Sequence, residues 1–326
     1  MTDVVLHRPV LLAEVLAALA PMQGSIIVDA TFGAGGYSRA ILAAASCRVI
    51  GLDRDPSAYA RAQALASEEP RFQAAHVSFG ALDQELERRG IGRIDGLVLD
   101  LGVSSMQLDQ AERGFSFQSD GPLDMRMDTG AGASAAEVVN AMGEADLARI
   151  LWRLGEEPAS RRIARAIVQR RAERPFERTL DLADLIARTA PNPASRIHPA
   201  TRAFQALRMH VNDELGELEA VLEAAERRLA PGGRLVVVSF HSLEDRMVKR
   251  FLTGRSTRAP RPSRHVPIEA APAPAASFRL LRKGAIQPGE AELRANPRAR
   301  SARLRAAEML PAGEHQDGHP TGGLAA

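Results

Sequence analysis

Ser25-Ile26-Ile27-Val28-Asp29-Ala30-Thr31-Phe32-Gly33-Ala34-Gly35-Gly36, followed by Arg48-Val49-Ile50-Gly51-Leu52-Asp53, decides the fold. Each stretch holds a short apolar run that closes on an acid. A glycine loop breaks the first, and a helical stretch from about Ser38 to Ala45 separates the two. Short apolar runs without polar alternation suit strands buried on both faces. The alternation continues outward. Pro56 opens a helix to about Ala66, Phe72–His76 reads as a third strand, Leu82–Arg89 as a helix, and Ile94–Asp100 as a fourth strand. Strands spaced by helices build βαβ units and a parallel sheet.

The next strand signal is Arg234–Phe240, with Pro231-Gly232-Gly233 as the turn leaving a long helix that ends near Ala230. The stretch between carries helical signals only, after a polar loop from Gly114 to Gly132. Ser134-Ala135-Ala136-Glu137 is a capping box. Glu144–Arg153, Ala159–Arg171 and Thr179–Thr189 have helical apolar spacing, with Trp152 and Leu154 expected in the core of this block. The expected organisation is a discontinuous α/β domain, residues 1–108 and 213–310, interrupted by an all-helical insertion over 109–212. Residues 254–276 read as a mobile loop, and Ser277–Lys283 and Arg300–Glu308 as late strands. A disordered tail follows over 311–326.

At 326 residues, 45% hydrophobic and 25% charged, the chain has the composition of a globular protein. No apolar run nears the roughly 18 residues of a membrane span. The first nine residues lack the basic-then-apolar order of a secretory leader. A single cysteine, Cys47, excludes an intrachain disulfide and fits a reducing cytoplasm as a small semi-buried residue. The eight His are scattered without metal-ligand spacing, so no metal site is expected. Residues 253–305 hold 12 Lys or Arg against three acids, a basic segment that suits a polyanion or a solvated loop.

Glycines after a strand and before a helix bring bare backbone and free N–H groups to a ligand. Gly33 and Gly35 satisfy a dinucleotide fingerprint, but Ser38 stands at its third glycine. Asp53 lies 20 residues after Gly33, where an acid accepts ribose hydroxyls; its other reading is a helix cap before Pro56. Asp29 at the loop entrance disfavours a pyrophosphate and suits the sulfonium zwitterion of S-adenosylmethionine. Phe79 is placed to cover an adenine or to pack in the core. Asp100 ends the fourth strand, at the mouth where open α/β sheets bind ligands.

Several longer motifs carry a resemblance. They are His7-Arg8-Pro9-Val10-Leu11-Leu12, Asp29-Ala30-Thr31-Phe32-Gly33-Ala34-Gly35-Gly36, Asp53-Arg54-Asp55-Pro56 and Asp100-Leu101-Gly102-Val103-Ser104-Ser105. Arg113-Gly114-Phe115-Ser116-Phe117, Gly121-Pro122-Leu123-Asp124-Met125-Arg126-Met127 and His198-Pro199-Ala200-Thr201-Arg202 follow. Ser239-Phe240-His241-Ser242-Leu243-Glu244-Asp245-Arg246 and Asn296-Pro297-Arg298-Ala299-Arg300-Ser301 complete the set. In this order they resemble the 16S rRNA (cytosine-N4) methyltransferase family.

The resemblance implies a class I S-adenosylmethionine-dependent methyltransferase sheet, Rossmann-like and mostly parallel, with a helical substrate-recognition insertion. The substrate it implies is a cytidine N4 amine in the decoding (P-site) region of 16S rRNA, in the small subunit or a late precursor. It implies cofactor contacts at Gly33, Gly35, Gly36, Tyr37, Asp53, Phe79, Asp100 and Gln107. Tyr37 and Met106 depart from the usual His and Pro of those motifs. Monomer and homodimer both stay open.

An amine conjugated into a pyrimidine ring is a poor nucleophile, so acceptors on its N–H bonds must keep its lone pair on the methyl carbon. Asp100 is the first candidate for that task, in competition with its cofactor contact, and Asp109 the second. Phe115 and Phe117 either stack on an extruded cytosine or anchor their loop. His241 is read as an RNA contact, a proton acceptor or a structural histidine. Arg113, Arg126, Arg202, Arg298 and Arg300 serve as phosphate contacts or surface ion pairs. An assembly factor without turnover and an NAD-dependent oxidoreductase are the competing functions; Ser38 and Asp29 speak against the latter.

Overall fold

The strands Ile26–Asp29 (β1), Arg48–Asp53 (β2), Phe72–His76 (β3), Ile94–Asp100 (β4), Leu229–Ser239 (β5), Phe278–Leu280 (β6) and Arg303–Met309 (β7) form one sheet. A computed structural model describes residues 9–192, 197–256 and 276–311. Strand order is β3-β2-β1-β4-β5-β7-β6, with β1 to β5 parallel and β7 antiparallel to both neighbours. Successive residues of each central strand feed opposite faces. Val28, Leu97, Leu99, Leu235 and Val237 enter one apolar cluster, while Ile27, Val98, Val236 and Val238 enter another. Both faces are covered, which is why these runs are apolar throughout rather than alternating.

Helices Leu12–Leu19 (α1), Gly36–Ala44 (α2), Pro56–Glu68 (α3), Leu82–Arg88 (α4) and the short Ser105–Asp109 (α5) accompany the first four strands. Ala135–Ala141 (α6), Glu144–Gly155 (α7), Ser160–Arg171 (α8), Thr179–Thr189 (α9) and Thr201–Val211 (α10) pack on one another around a third cluster, with Phe176 and Leu147 at its centre. Glu214–Arg228 (α11), Ser242–Ser256 (α12) and Glu290–Ala295 (α13) complete the chain. The Ser134 capping box is present, with Glu137 reaching back to the cap.

Four sequence expectations shift. β5 starts at Leu229, not Arg234, because Leu229 pairs with Ile94 before an irregularity carries the Pro231–Gly233 turn. Gly254–Ser256, expected in a loop, finish α12. Cys47 is fully buried. Trp152 is not core: it is 59% exposed, while Leu147, Ile150 and Leu151 form the inward stripe of α7. Most of the expected 254–276 loop, with its share of the basic segment, and the tail beyond 311 lie outside the described residues.

Candidate active site

The strand order reverses between β1 and β4, and a ligand crevice is expected outside the carboxyl ends there. A cavity of about 580 Å³ opens at that place, within the range that takes small-molecule ligands. Its floor comes from the strand ends: Ala30 and Thr31 after β1, Asp53 on β2, Asp100 on β4, and Phe240 and His241 after β5. Its opposite wall comes from the helical block, through Phe115, Phe117, Thr201, Phe204 and Gln205.

The glycine loop is held from beneath. Asp29 is fully buried; it accepts the Ser38 hydroxyl at 2.7 Å and the Thr31 N–H at 3.3 Å. Ser38 therefore replaces the third glycine because its hydroxyl is the partner of a buried carboxylate. Asp29 is turned into the protein and supports the loop rather than facing a ligand. Gly35 has φ +79° and caps α2; a Cβ there would meet the Phe32 ring at 2.6 Å. Its role is the turn, and it does not line the cavity, whereas Gly33 and Gly36 do.

Burial pushes the Asp29 carboxyl up from 3.8 to about 6, against the pull of its bonds to Ser38 and Thr31. The folded state thus binds this proton more tightly than the unfolded chain, so Asp29's contribution to stability falls as pH rises from about 4 to about 6. The full effect is on the order of 3 kcal/mol. Urea unfolding of wild type and Asp29→Asn should show the difference in stability moving against wild type across that window. A difference that does not change with pH would refute this.

Asp53 accepts the Gly33 N–H at 2.8 Å and the Asp55 N–H at 2.9 Å, and burial raises its pKa. The cap of α3 is Asp55, which accepts the Ser57 N–H at 2.8 Å, so the helix-cap reading of Asp53 belongs to its neighbour. Both line the cavity. Asp55 is one residue the sequence reading missed. Its second oxygen, 2% exposed as a residue, takes the Gln107 amide at 2.7 Å and the Arg113 guanidinium at 2.8 Å. Burial alone would push Asp55 up, but bonds from Ser57, Gln107 and Arg113 bring it below the ordinary carboxylate range. Gln107 also closes a capping box with Ser104, so α5 starts firmly with Met106 in place of a proline.

Asp100 differs from these acids. Its backbone N–H donates to Thr31 Oγ1 at 2.6 Å, but carboxylate Oδ1 is buried with no hydrogen-bond partner among the described residues. Burial, with Asp29 and Glu244 nearby, drives its pKa well above the ordinary value. Glu244 is 2% exposed and accepts the Phe240 N–H at 3.0 Å. His241 Nε2 lies 3.0 Å from Glu244 Oε1, an electrostatic contact outside hydrogen-bond geometry. Burial opposes the Glu244 charge, yet His241 and Arg208 bring its pKa below the usual value. Ligand atoms of Glu214, His241 and Glu244 lie within 4.8 Å of one another. Arg208 already forks onto Glu214, at 2.7 Å to each oxygen, so one of the two carboxylates of this cluster is paired within the protein.

The remaining predicted residues divide by location. Tyr37, Phe79, Phe115, Phe117, His241 and Arg298 line the cavity. The Tyr37 hydroxyl is spent on the Val10 carbonyl. Phe117 sits 4.7 Å from both the Phe204 and the His198 ring. Asp109 is corrected: its side chain is 62% exposed outside the cavity and pairs with Arg298 at 2.6 Å, away from any base held within. Arg113 is also corrected as a phosphate contact, because it does not line the cavity and its Nη1 and Nη2 bond Asp55 and the carbonyls of Arg126 and Met127, with only a buried Nε left over. Arg126 forks onto Asp124. Arg202 and Arg300 are exposed outside the cavity, Arg202 touching the Glu156 carbonyl at 3.3 Å.

A parallel sheet with β7 alone reversed, a glycine loop after β1 and an acid ending β2 together define a class I S-adenosylmethionine-dependent methyltransferase. The residues fit that cofactor: Asp53 keeps acceptor capacity for ribose hydroxyls, Phe79 offers a ring face, and Asp100 holds a buried acceptor in want of a donor. A profile of the MraW methylase family matches residues 4–310, and the chain belongs to that family. A ribosomal RNA small subunit methyltransferase H of Paramagnetospirillum magneticum is 60% identical over 307 residues, covering 94% of this chain and 96% of its own. The Azorhizobium caulinodans protein of the same name is 57% identical over 321 residues, covering 98% and 92%. A Streptococcus thermophilus rRNA methylase structure aligns with TM-score 0.40 and 13% identity, over 92% of this chain and 95% of that one.

Proposed function

We propose that this protein transfers a methyl group from S-adenosylmethionine to the N4 amine of a cytidine in the decoding (P-site) region of 16S rRNA. It acts in the cytoplasm, as a monomer or homodimer, on the small ribosomal subunit or its late precursor. Residues 109–212 serve as the helical substrate-recognition insertion. The names of the relatives support the rRNA substrate. Among the described residues no helix is long and apolar enough to cross a membrane. The observation that carries the amine assignment is Asp100, whose buried carboxylate Oδ1 finds no donor among the described residues at the floor of the cavity.

When bound, S-adenosylmethionine supplies an electrophilic methyl carbon on a sulfonium. Gly33, Gly36, Asp53, Phe79 and Gln107 line the cavity and would hold it. Asp100 accepts an N–H of the amine and keeps the nitrogen lone pair out of the ring. Its elevated pKa suits it to receive the proton that the methylated amine sheds. Phe115 and Phe117 form an apolar wall for an extruded base, which pays for its unstacking by burial there. Holding both reactants in one cavity supplies much of the rate. His241, braced on Glu244, faces the substrate side of the same cavity, and Arg298 stands at the rim for a phosphate.

Labelled methyl transfer to small subunits from a strain lacking the enzyme, followed by nucleoside mass spectrometry, tests this. N4-methylcytidine is the expected product. Methyl on another nucleoside would overturn the Asp100 geometry. Cofactor binding with no transfer to subunits, precursors or naked rRNA would instead favour an assembly factor.

A further inference from the structure

Trp152 is the only tryptophan in the chain, and α7 holds it 59% exposed to solvent. The apolar stripe of α7 faces inward without it. Trp152 instead continues a row with Ala145 and Ala148, and these, with Pro158, floor an open groove between α7 and the first turns of α8. Arg149, Arg161, Arg162 and Arg165 surround that groove. Asp146 holds Arg149 at 2.6 Å, and Glu144 lies 3.5 Å from Arg165. Arg161 and Arg162 are exposed and make no ion pair with any described residue. The groove therefore combines a bare indole with excess cation.

An exposed large aromatic costs solubility and contributes nothing to this core. Flanked by free guanidinium groups, it has the composition of a platform for unpaired nucleotides: the indole stacks on a base while arginine meets the phosphates. The helix that carries the groove also reaches toward the catalytic side. One turn beyond Trp152, Glu156 accepts the Ser242 hydroxyl at 3.0 Å and pairs with Arg246 at 3.1 Å, next to His241. At Gly155 a Cβ would lie 2.5 Å from the Arg202 carbonyl, so α7 sits directly on α10, whose Thr201, Phe204 and Gln205 line the cavity.

We propose that the Trp152 groove is a second RNA-contact surface, binding a single-stranded segment that flanks the nucleotide in the cavity. This rests on the rRNA reading above and adds a site to it. The indole stacks on one base of that segment, and Arg161 and Arg162 neutralise phosphates on either side.

Because Trp152 is the sole tryptophan, its emission reports on the groove directly. Titrating the intact protein with a short single-stranded RNA should quench that emission, and duplex RNA should quench it less. Trp152→Ala should raise KM for small subunits about tenfold or more, the size of one lost base stack, with kcat at saturation retained. Trp152→Phe should recover most of that loss. Arg161→Ala with Arg162→Ala should flatten the salt dependence of binding. Unchanged emission with RNA, together with a wild-type KM for Trp152→Ala, would overturn the proposal while leaving methylation intact. A change in oligomeric state on Trp152→Ala would overturn it in favour of a contact between copies. Quenching by RNA without methyl transfer would leave this surface standing and remove the proposed reaction.

Discussion

Asp100→Asn is expected to fold as well as wild type while methyl transfer to small subunits falls by about 100-fold or more. The two effects separate because of where the carboxylate sits. Oδ1 has no hydrogen-bond partner among the described residues, and the group is buried beside Asp29 and Glu244, which already resist its ionisation. A neutral amide of the same shape removes that repulsion, so thermal stability stays level or rises. The lost function follows from the chemistry of the amine. Asparagine's carbonyl still accepts an N–H, but it cannot receive the proton, and general-base steps of this kind supply about 10²–10⁴ in rate. S-adenosylmethionine affinity, read by calorimetry, should change far less than kcat. An Asp100→Asn enzyme with near-wild-type turnover would remove Asp100 from the chemistry and leave it a cofactor contact.

Asp55→Ala should be the most destabilising single change near the site. Asp55 joins three parts of the molecule: it caps α3, orients Gln107 on α5, and neutralises Arg113, which in turn holds the carbonyls of Arg126 and Met127. Removing one partner of a buried ion pair leaves the other charge uncompensated, at about 3–5 kcal/mol. The double variant Asp55→Ala, Arg113→Ala should cost much less than the sum of the singles, because the stranded guanidinium is gone. Chemical unfolding of the four proteins measures the cycle. Additive losses would show that the pair does not couple the sheet to the 113–127 segment.

The βαβ half was legible because its signals are local. Arg48–Asp53, Phe72–His76 and Ile94–Asp100 coincide with β2, β3 and β4 residue for residue, the two internal strands through apolar runs between breakers and the edge strand β3 through its place in the strand–helix alternation. Capping boxes and proline positions fixed α3 and α6 for the same reason. Helix α1 gave no such sign: its cap residue, Leu11, has no capping side chain, and burial rather than a polar face sets its limits. Trp152 misled for a related reason. Apolar spacing along α7 identifies a stripe, but which side of a helix a neighbouring residue occupies depends on packing against α10 and α8.

The candidate site was half legible. Gly33, Asp53 and Asp100 announce themselves because strand ends of a parallel sheet converge on one mouth, so their place along the chain predicts their place in space. Asp55, Arg208 and Glu244 could not be found that way. Each matters through a partner distant in sequence or on another element, and a carboxylate's environment is a property of everything packed around it.

What the sequence determined by itself was the parallel sheet, the cofactor loop and the family, because these rest on backbone geometry and short-range periodicity. Tertiary structure alone decided which charged groups are spent and which are free. Arg113 and Arg126 are tied to acids and carbonyls, Asp109 is outside, Asp100 Oδ1 is buried without a partner among the described residues, and Trp152 faces solvent. Charge and aromatic character are written in the residue, but desolvation and pairing, which turn them into function, arise only when distant segments meet.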